Sequence, residues 1–282
     1  MLKIAVNAMR DPKEYRLLKE VGYNAVDYNG LCTEPGTGLF ALTDAEFERE
    51  LLRDRAAIED AGLEICQVHG VWPYDDTKAE NWESKFQAMI RSIKGTAILG
   101  SKYVVVHPVM PYGWEKSPDH EKDVRENIEY MKKLVPYAEE YGVKIALENM
   151  PNPYVPCGPV EELVKCIDEV NSPYLVACLD VGHSTALGLD AGEAVRMLGD
   201  RLHCLHIHDN DGKGDLHWLP YYGVTNWANF TSALKEIGYK GVITLETSVS
   251  QRMKRLPESL KKEGEKWVAN IARKMAEEAS GQ

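Results

Sequence analysis

Apolar, β-branched segments alternate with long amphipathic segments along the whole 282-residue sequence. Short apolar runs indicate strands, and apolar residues repeated every three or four positions indicate helices. The predicted strands are 3–7, 24–28, 64–69, 103–107, 143–148, 174–180, 202–208 and 242–247. The predicted helices are 12–21, 44–61, 81–99, 118–141, 159–169, 190–198, 226–237 and 257–279. Eight strands, each followed by a helix, predict one (β/α)8 TIM-barrel domain over residues 1–282, with a doubly wound open sheet as the alternative.

The connections at the two ends of the predicted strands differ in length and composition. Short turns lead from helix to strand, and most of them contain glycine, which tolerates positive φ. These turn residues are Gly22, Gly62, Gly100, Gly142, Gly199 and Gly238, with Asn171-Ser172-Pro173 in the one gap. The longer strand-to-helix segments are 29–43, 70–80, 108–117, 149–158, 181–189, 209–225 and 248–256. Since TIM barrels carry their functional loops at the C-terminal ends of the strands, we expect the site there.

Local signals mark several helix starts. Thr43 begins a segment with the spacing of a capping box, and so does Asp190. Pro118 follows Ser117 and is predicted as the first residue of its helix. The last helix, 257–279, should close the barrel, and its exposed Trp267 and Val268 are candidates for a contact in a homo-oligomer.

Composition excludes some classes of protein and favours others. The formal net charge of −11 argues against a nucleic-acid partner. No apolar run is long enough to span a bilayer, so no membrane partner is expected. The N-terminus reads as a first strand that is too short for a signal peptide. Six cysteines without Cys-x-x-Cys spacing are typical of reduced thiols in a cytoplasmic protein.

Six consecutive predicted strands end in histidine or an acidic residue. These residues are His69, His107, Glu148, Asp180, His206 with His208, and Glu246. A single carboxylate at such a position is best explained as a helix cap, but a barrel brings all of these strand ends into one ring. Carboxylates in that ring would repel one another unless a cation neutralised them. The pattern therefore predicts a divalent metal site, with the His- and Asp-rich stretch 202–217 as its main part.

Four segments carry a resemblance to a known superfamily. They are Leu147-Glu148-Asn149, Leu179-Asp180-Val181-Gly182-His183, His206-Ile207-His208-Asp209-Asn210-Asp211-Gly212 and Leu245-Glu246-Thr247. In this order and spacing the chain resembles the xylose isomerase-like TIM-barrel superfamily, which holds sugar isomerases and epimerases, sugar-acid and inosose dehydratases, and endonuclease IV-type enzymes. The resemblance implies a divalent ion, Mn²⁺ first with Zn²⁺, Co²⁺ or Mg²⁺ as alternatives, held by Glu148, Asp180, His206 and Glu246. His206 is chosen over His208 because His206 and Asp209 meet the family's His-x-x-Asp pattern, although both imidazoles share one strand face.

Further residues match the endonuclease IV branch of the same superfamily. The resemblance places additional zinc ligands at His69, His107, His183, Asp215 and His217. With the four residues above they make a nine-ligand set that could hold three ions. The alternative is that these residues, together with His208, contact the hydroxyl groups of a sugar. Aromatic loop residues that could stack on a sugar are Trp72, Trp114 and Trp218.

The leading hypothesis is an isomerase or epimerase that transfers a proton next to the carbonyl of a small carbohydrate. The metal would stabilise developing negative charge, while Glu148 and Glu246 act as bases on opposite faces of the substrate. The alternatives are a metal-dependent endonuclease IV-like phosphodiester hydrolase, a dehydratase or lyase, and a binding barrel without catalysis. Arg252, Lys254 and Arg255 follow the last strand, where a phosphorylated substrate, a solvated turn or a subunit contact would each explain them.

Overall fold

The computed structural model describes residues 1–72 and 82–281, and its centre is a sheet of eight parallel strands. The strands are β1 (Ile4–Ala8), β2 (Ala25–Tyr28), β3 (Glu64–His69), β4 (Tyr103–Val106), β5 (Lys144–Glu148), β6 (Leu175–Asp180), β7 (Leu202–His206) and β8 (Ile243–Leu245). Strands that follow one another in sequence are neighbours from β1 to β7, and β8 pairs with β1. An isolated parallel bridge between Ile207 and Leu245 joins the two edges. The sheet is therefore a nearly closed barrel, and the doubly wound alternative is wrong.

Helices surround the barrel. In the described part of the chain they are α1 (Pro12–Val21), α2 (Asp44–Asp60), α3 (Trp82–Ile98), α4 (His120–Tyr141), α5 (Val160–Val170), α6 (Val181–Ala186), α7 (Ala191–Leu198), α8 (Trp227–Glu236), α9 (Val249–Arg252) and α10 (Glu258–Ser280). Short 3-10 helices cover Gly38–Ala41 and Gly199–Arg201. None of the helices in residues 1–72 and 82–281 is both long and apolar enough to cross a membrane.

The strands have apolar residues on both faces because each one is covered on both sides. A small cluster fills the barrel interior and consists of Val105, Ala146, Val176, Cys178 and Cys204. The alternate strand residues pack outward against the helices. Since side chains alternate along a strand, the positions two residues beyond the interior cluster also point inward. Those positions lie at the C-terminal ends of the strands, so the barrel aims the polar strand ends at one another.

Most of the predicted boundaries and turns are confirmed. The six turn glycines all have positive φ, and Asn171 takes the left-handed conformation at the end of α5. Thr43 and Glu46 form a reciprocal capping box at the start of α2. The Asp190 carboxylate accepts hydrogen bonds from the backbone of Gly192 and Glu193 at the start of α7. All six cysteines carry free thiols.

Some expectations were wrong for identifiable reasons. Pro118 is not in the helix, because Asp119 accepts a hydrogen bond from the Lys122 backbone and α4 begins at His120. Strand β7 ends at His206, two residues early, because Asp209 forms a separate antiparallel bridge with Trp218.

The expectations for the surface of α10 and for three of the predicted loops also differ from the structure. Trp267 is exposed as expected, but Val268 is fully buried on the barrel side of α10 and offers no oligomer contact. The predicted loop 70–80 lies mostly outside the described residues. The predicted loops 181–189 and 248–256 contain the short helices α6 and α9, respectively.

Candidate metal centre

Four residues from the C-terminal ends of neighbouring strands form the central group: Glu148, Asp180, His206 and Glu246. One potential ligand atom from each lies within 4.8 Å of the others. Nδ1 of His206 is 3.0 Å from Oε1 of Glu148 and 3.7 Å from Oε2 of Glu246. Glu148, Asp180 and His206 are fully buried, whereas the Glu246 side chain is 14% exposed. Glu246 is therefore the member of the central group that faces accessible space.

Unpaired carboxylate oxygens test whether a cation fits the central group. Glu148 Oε2, Asp180 Oδ2 and Glu246 Oε2 are buried and have no hydrogen-bond partner in the described structure. Burial raises the pKa of Glu246 to about 8. The charges of Asp180 and Glu148 also raise this pKa, whereas the charges of His206 and His217 lower it. Buried acceptors without partners are costly, and a divalent cation would satisfy all three. Three carboxylates and one imidazole are ligands suited to Mn²⁺, Co²⁺, Zn²⁺ or Mg²⁺.

A first flanking group lies on the side of β3 and β4. His69, His107 and Glu148 again bring potential ligand atoms within 4.8 Å of one another. Nε2 of His107 is 3.2 Å from Oε2 of Glu148, and Nε2 of His69 is 3.8 Å from Oε1 of Glu246. Burial and the neighbouring His107 and His206 lower the pKa of His69 to about 4. His69 is therefore a neutral imidazole near pH 7, the protonation state that a metal ligand requires.

A second flanking group consists of His183, His208, Asp215 and His217. Nε2 of His183 is 3.6 Å from Asp215, and Nε2 of His217 is 3.1 Å from the same carboxylate. Nε2 of His208 lies 3.1 Å from Oδ1 of Asp180, which links this group to the central one. The structure thus separates the two histidines of the β7 end: His206 joins the central group and His208 joins the second flanking group.

Three local features orient the second flanking group. Asp180 caps α6 by accepting a hydrogen bond from the His183 backbone at 2.7 Å. Nδ1 of His183 is 2.7 Å from the Asn149 carbonyl, which fixes Nε2 toward Asp215. Gly182 lies against the His208 ring, and a Cβ at this position would overlap the imidazole. His183 and His208 are therefore held in place by residues at the ends of β5 and β6.

Asp209 organises the loop that carries Asp215 and His217. Its buried carboxylate accepts hydrogen bonds from the Gly223 backbone, from the Thr225 backbone and hydroxyl, and from Nε1 of Trp227. These contacts satisfy the Asp209 carboxylate within the loop. The Asp of the His-x-x-Asp pattern therefore supports the site through the loop conformation.

Asp27 is a residue of the site that sequence reasoning missed. It is fully buried near the end of β2, and its Oδ2 lies 2.9 Å from Nε2 of His206. His206 therefore contacts carboxylates at both ring nitrogens, Glu148 at Nδ1 and Asp27 at Nε2. The signal was present, because Asp27 follows two apolar residues near a strand end, as Asp180 does. A carboxylate behind a ligating imidazole is a common second contact in metal sites.

The three predicted aromatic residues differ in their relation to the site. The Trp72 ring stands edge-on to the His107 ring with centroids 4.3 Å apart. Trp218 follows His217 and pairs through its backbone with Asp209, and its side chain is partly exposed. Trp114 is 46% exposed on the loop after β4, where its carbonyl accepts a hydrogen bond from the Asn152 amide. Trp72 thus contacts the first flanking group directly, and Trp218 adjoins the second along the chain.

A large cavity adjoins the central group. Its volume is about 850 Å³, and both Glu246 and His217 line it. The rest of the lining comes mainly from β1, α1 and the segment around α9. The exposed edge of Glu246 therefore faces a space that is large enough for a small metabolite.

Comparison with known proteins agrees with the barrel fold. A family model described as xylose isomerase-like TIM barrel matches residues 15–271. The chain belongs to this family. It is 33% identical to an uncharacterised protein of Methanocaldococcus jannaschii over 69% of this chain and 66% of that protein. It is 29% identical to the inosose isomerase of Bacillus subtilis over 58% of this chain and 59% of that protein, so that match spans less than two thirds of the relative.

Named relatives are sugar isomerases and epimerases. The D-psicose 3-epimerase of Enterocloster bolteae is 26% identical over 75% of this chain and 71% of that protein. A D-tagatose 3-epimerase-like protein has a solved structure with a TM-score of 0.70 and 25% identity, covering 98% of this chain and 100% of that chain. A D-psicose 3-epimerase solved with D-fructose has a TM-score of 0.76 at 15% identity, over 97% of this chain and 99% of that one. These relatives support an enzyme of the isomerase and epimerase class.

Proposed function

We propose that the protein is a divalent-metal-dependent isomerase or epimerase of a sugar or sugar derivative. The observation that carries the proposal is the central group, in which three carboxylates each keep a buried oxygen without a hydrogen-bond partner in the described structure. Glu148, Asp180, His206 and Glu246 would hold the ion. The relatives named as epimerases and inosose isomerases support a small carbohydrate as the substrate class.

The central group suits proton transfer at a carbon next to a carbonyl. When bound, a divalent ion would polarise the substrate oxygens and stabilise the charge that develops as the proton leaves. Glu246 would take the proton, because its side chain reaches the cavity while Glu148 stays buried. Glu148 would be the second base and return a proton to the opposite face, as an epimerisation requires.

Hydrogen exchange with solvent tests this proposal directly. The full-length protein is incubated with Mn²⁺ in D₂O and a panel of ketoses, aldoses and inososes, and deuterium next to the carbonyl is measured by NMR. We expect incorporation with at least one compound and a loss of about 10²-fold or more in Glu246→Gln, since a general base contributes on this scale. Glu139→Gln, on the exposed surface of α4, is the control and should match the wild type. The proposal would be contradicted if no compound of the panel exchanged hydrogen with solvent in the presence of Mn²⁺, or of Zn²⁺, Co²⁺ or Mg²⁺ in its place.

The two flanking groups favour a second candidate, a phosphodiester hydrolase with up to three ions. The central group shares Glu148 with the first flanking group, and Asp180 contacts His208 of the second. Clustered ions can activate water and stabilise a leaving oxygen. The net charge of −11 weighs against a nucleic-acid substrate. A dehydratase or lyase would begin with the same proton abstraction and would reveal itself by loss of water from the substrate.

Metal content separates the first two candidates. Elemental analysis of protein purified without chelators should give about one Mn, Co or Mg per chain for the isomerase. Two or three Zn per chain, with cleavage of an oligonucleotide that contains an abasic site, would support the hydrolase. In that case His183→Asn should remove one ion and leave the ion of the central group in place.

A further inference from the structure

The cavity beside the central group is lined by basic side chains as well as by Glu246 and His217. Lys13 extends from the first turn of α1, Arg252 is the last residue of α9, and Lys254 follows it. These three residues, called the basic wall below, come from two distant parts of the sequence. The barrel brings them to the same space as the exposed edge of Glu246.

The side chains of the basic wall lack acidic partners. Among residues 1–72 and 82–281, no hydrogen-bond or ion-pair partner exists for the side chain of Lys13, Arg252 or Lys254. Several other arginines are paired with carboxylates, as Arg201 is with Asp168 at 2.6 Å. Burial lowers the pKa of Arg252, while the charges of Glu246 and Asp215 act in the opposite direction. Arg252 is thus an exposed cation on the cavity surface, and the described residues offer it no counterion.

The segment that carries Arg252 is fixed to the barrel. Ser248 caps α9 by accepting a hydrogen bond from the Gln251 backbone at 3.2 Å. The Gln251 side chain donates to Oδ1 of Asn7 in β1 at 3.2 Å, and Glu265 of α10 accepts from the Ser250 backbone at 2.7 Å. A cation on an anchored segment loses little freedom when it binds an anion, so the segment is preorganised for binding.

Two carboxylates on the same cavity surface are already engaged by the backbone. Asp11 caps α1 and accepts a hydrogen bond from the Lys13 backbone at 2.8 Å. Glu14 accepts from the Met9 backbone at 3.2 Å, and burial raises its pKa to about 7, so part of its charge is absent at neutral pH. Neither carboxylate forms an ion pair with a cation of the basic wall, so these cations stay available to an anion in the cavity.

We propose that the basic wall binds the phosphate group of a phosphorylated sugar whose carbonyl end lies at Glu246. The proposal rests on the proposed isomerase function, because it identifies the class of sugar that the same cavity receives. A phosphate monoester suits the basic wall because it carries up to two negative charges and three terminal oxygens, which the guanidinium of Arg252 and two ammonium groups can share. A neutral sugar would leave these cations without partners.

Binding measurements test the basic wall independently of turnover. Inorganic phosphate, D-fructose 6-phosphate, D-fructose and D-glucuronate are titrated calorimetrically into the metal-loaded full chain. The double variant Arg252→Gln/Lys254→Gln should raise the Kd for both phosphate probes at least about tenfold and leave D-fructose unchanged, since charge-assisted hydrogen bonds are lost. The control Arg49→Gln/Lys240→Gln removes the same charges from exposed positions that do not line the cavity and should behave as the wild type.

The outcomes separate this proposal from the proposed function. If phosphate binding is equal in the double variant and the control, or if D-glucuronate alone depends on Arg252 and Lys254, the phosphate proposal is wrong. If phosphate binding is lost in the double variant but no sugar exchanges deuterium, the basic wall stands and the isomerase function fails. Exchange that favours phosphorylated sugars in the wild type and loses this preference in the double variant supports both.

Discussion

His206 illustrates how single side chains are fixed in the site. An imidazole between two carboxylates, Glu148 at Nδ1 and Asp27 at Nε2, keeps both protons, and the pKa of His206 is accordingly raised well above its usual value despite its burial. A metal ion on Nδ1 would replace one of these protons, while Nε2 continues to donate to Asp27. Asp27 therefore sets the orientation of the ring and raises its basicity as a ligand.

Replacement of Asp27 should weaken metal binding without unfolding the barrel. We expect Asp27→Asn to raise the Kd for Mn²⁺ about 10- to 100-fold, because an amide accepts the Nε2 proton less strongly than a carboxylate does. Competitive titration against a fluorescent chelator measures the affinity, and circular dichroism checks the fold. Asp60→Asn, at the exposed end of α2, is the matched control. Identical affinities for Asp27→Asn and the wild type would rule out this role.

Most of the predicted ligands that the structure brings together share one property, a polar side chain at the end of an apolar strand. Asp27 has the same property but was missed, because the buried Tyr28 continues β2 beyond it and hides the strand end. The division of His206 and His208 between two groups was also not predictable from alternation alone. It depends on where β7 ends, which the Asp209–Trp218 pairing decides.

At the scale of elements, α6 shows why a short helix escaped prediction. Val181-Gly182-His183-Ser184-Thr185-Ala186 is poor in strong helix formers. Its turn is held by the Asp180 cap and by the hydroxyls of Ser184 and Thr185, which both donate to the Val181 carbonyl. The Asp180 backbone is in turn held by the Asn149 side chain of the neighbouring strand end, through two hydrogen bonds that depend on the sheet. Long helices such as α2 were predictable because their periodicity and capping are local.

Helix α1 carries a carboxyl group whose titration should alter stability. The folded state holds the Glu14 pKa at about 7, mainly because of burial, whereas the unfolded chain has the usual value near 4.5. Its contribution to stability is therefore complete below pH 4.5 and lost as the pH rises through 7. Glu14→Gln can still accept the Met9 hydrogen bond, and we expect it to be about 1–3 kcal/mol more stable than the wild type at pH 8 but not at pH 5.

Urea unfolding at pH 5 and pH 8 measures this difference between the two proteins. Glu48→Gln, on the exposed surface of α2, serves as the control and should follow the wild type at both pH values. If Glu14→Gln is no more stable than the wild type at pH 8, ionisation of the buried Glu14 carboxyl group does not lower the free energy of unfolding, and the prediction is wrong.

At the scale of the whole molecule, the central group is a source of instability that a cation would relieve. Glu148, Asp180 and Glu246 crowd three acidic groups together, and each keeps a buried oxygen without a hydrogen-bond partner in the described structure. An ion that binds only the folded chain stabilises it by about 2.7 kcal/mol at one hundred times its Kd. For a chain of this size we expect chelation to lower Tm by about 5 °C.

Differential scanning calorimetry with EDTA, and again after excess Mn²⁺ is restored, measures this change. Glu148→Gln removes one of the proposed ligands and should weaken metal binding. The Tm of this variant should therefore change little on addition of EDTA or of Mn²⁺. The same Tm for the wild type with and without chelator would mean that metal does not stabilise the barrel.

The barrel closes where the central group is completed. Beyond the short β8, the Glu246 backbone donates to the Ile207 carbonyl and the Ile207 backbone donates to Thr244, which joins the last strand to the β7 edge. Strand β8 also pairs with β1, which lies near the other end of the sequence. The β1–β8 pairing therefore has the largest loop-closure cost among the strand pairings, and we expect it to form late in folding. We therefore expect Glu246 to join the other ligands after the rate-limiting step. Mn²⁺ should consequently slow unfolding by up to about 100-fold at one hundred times its Kd while leaving the refolding rate unchanged, which stopped-flow measurements can resolve.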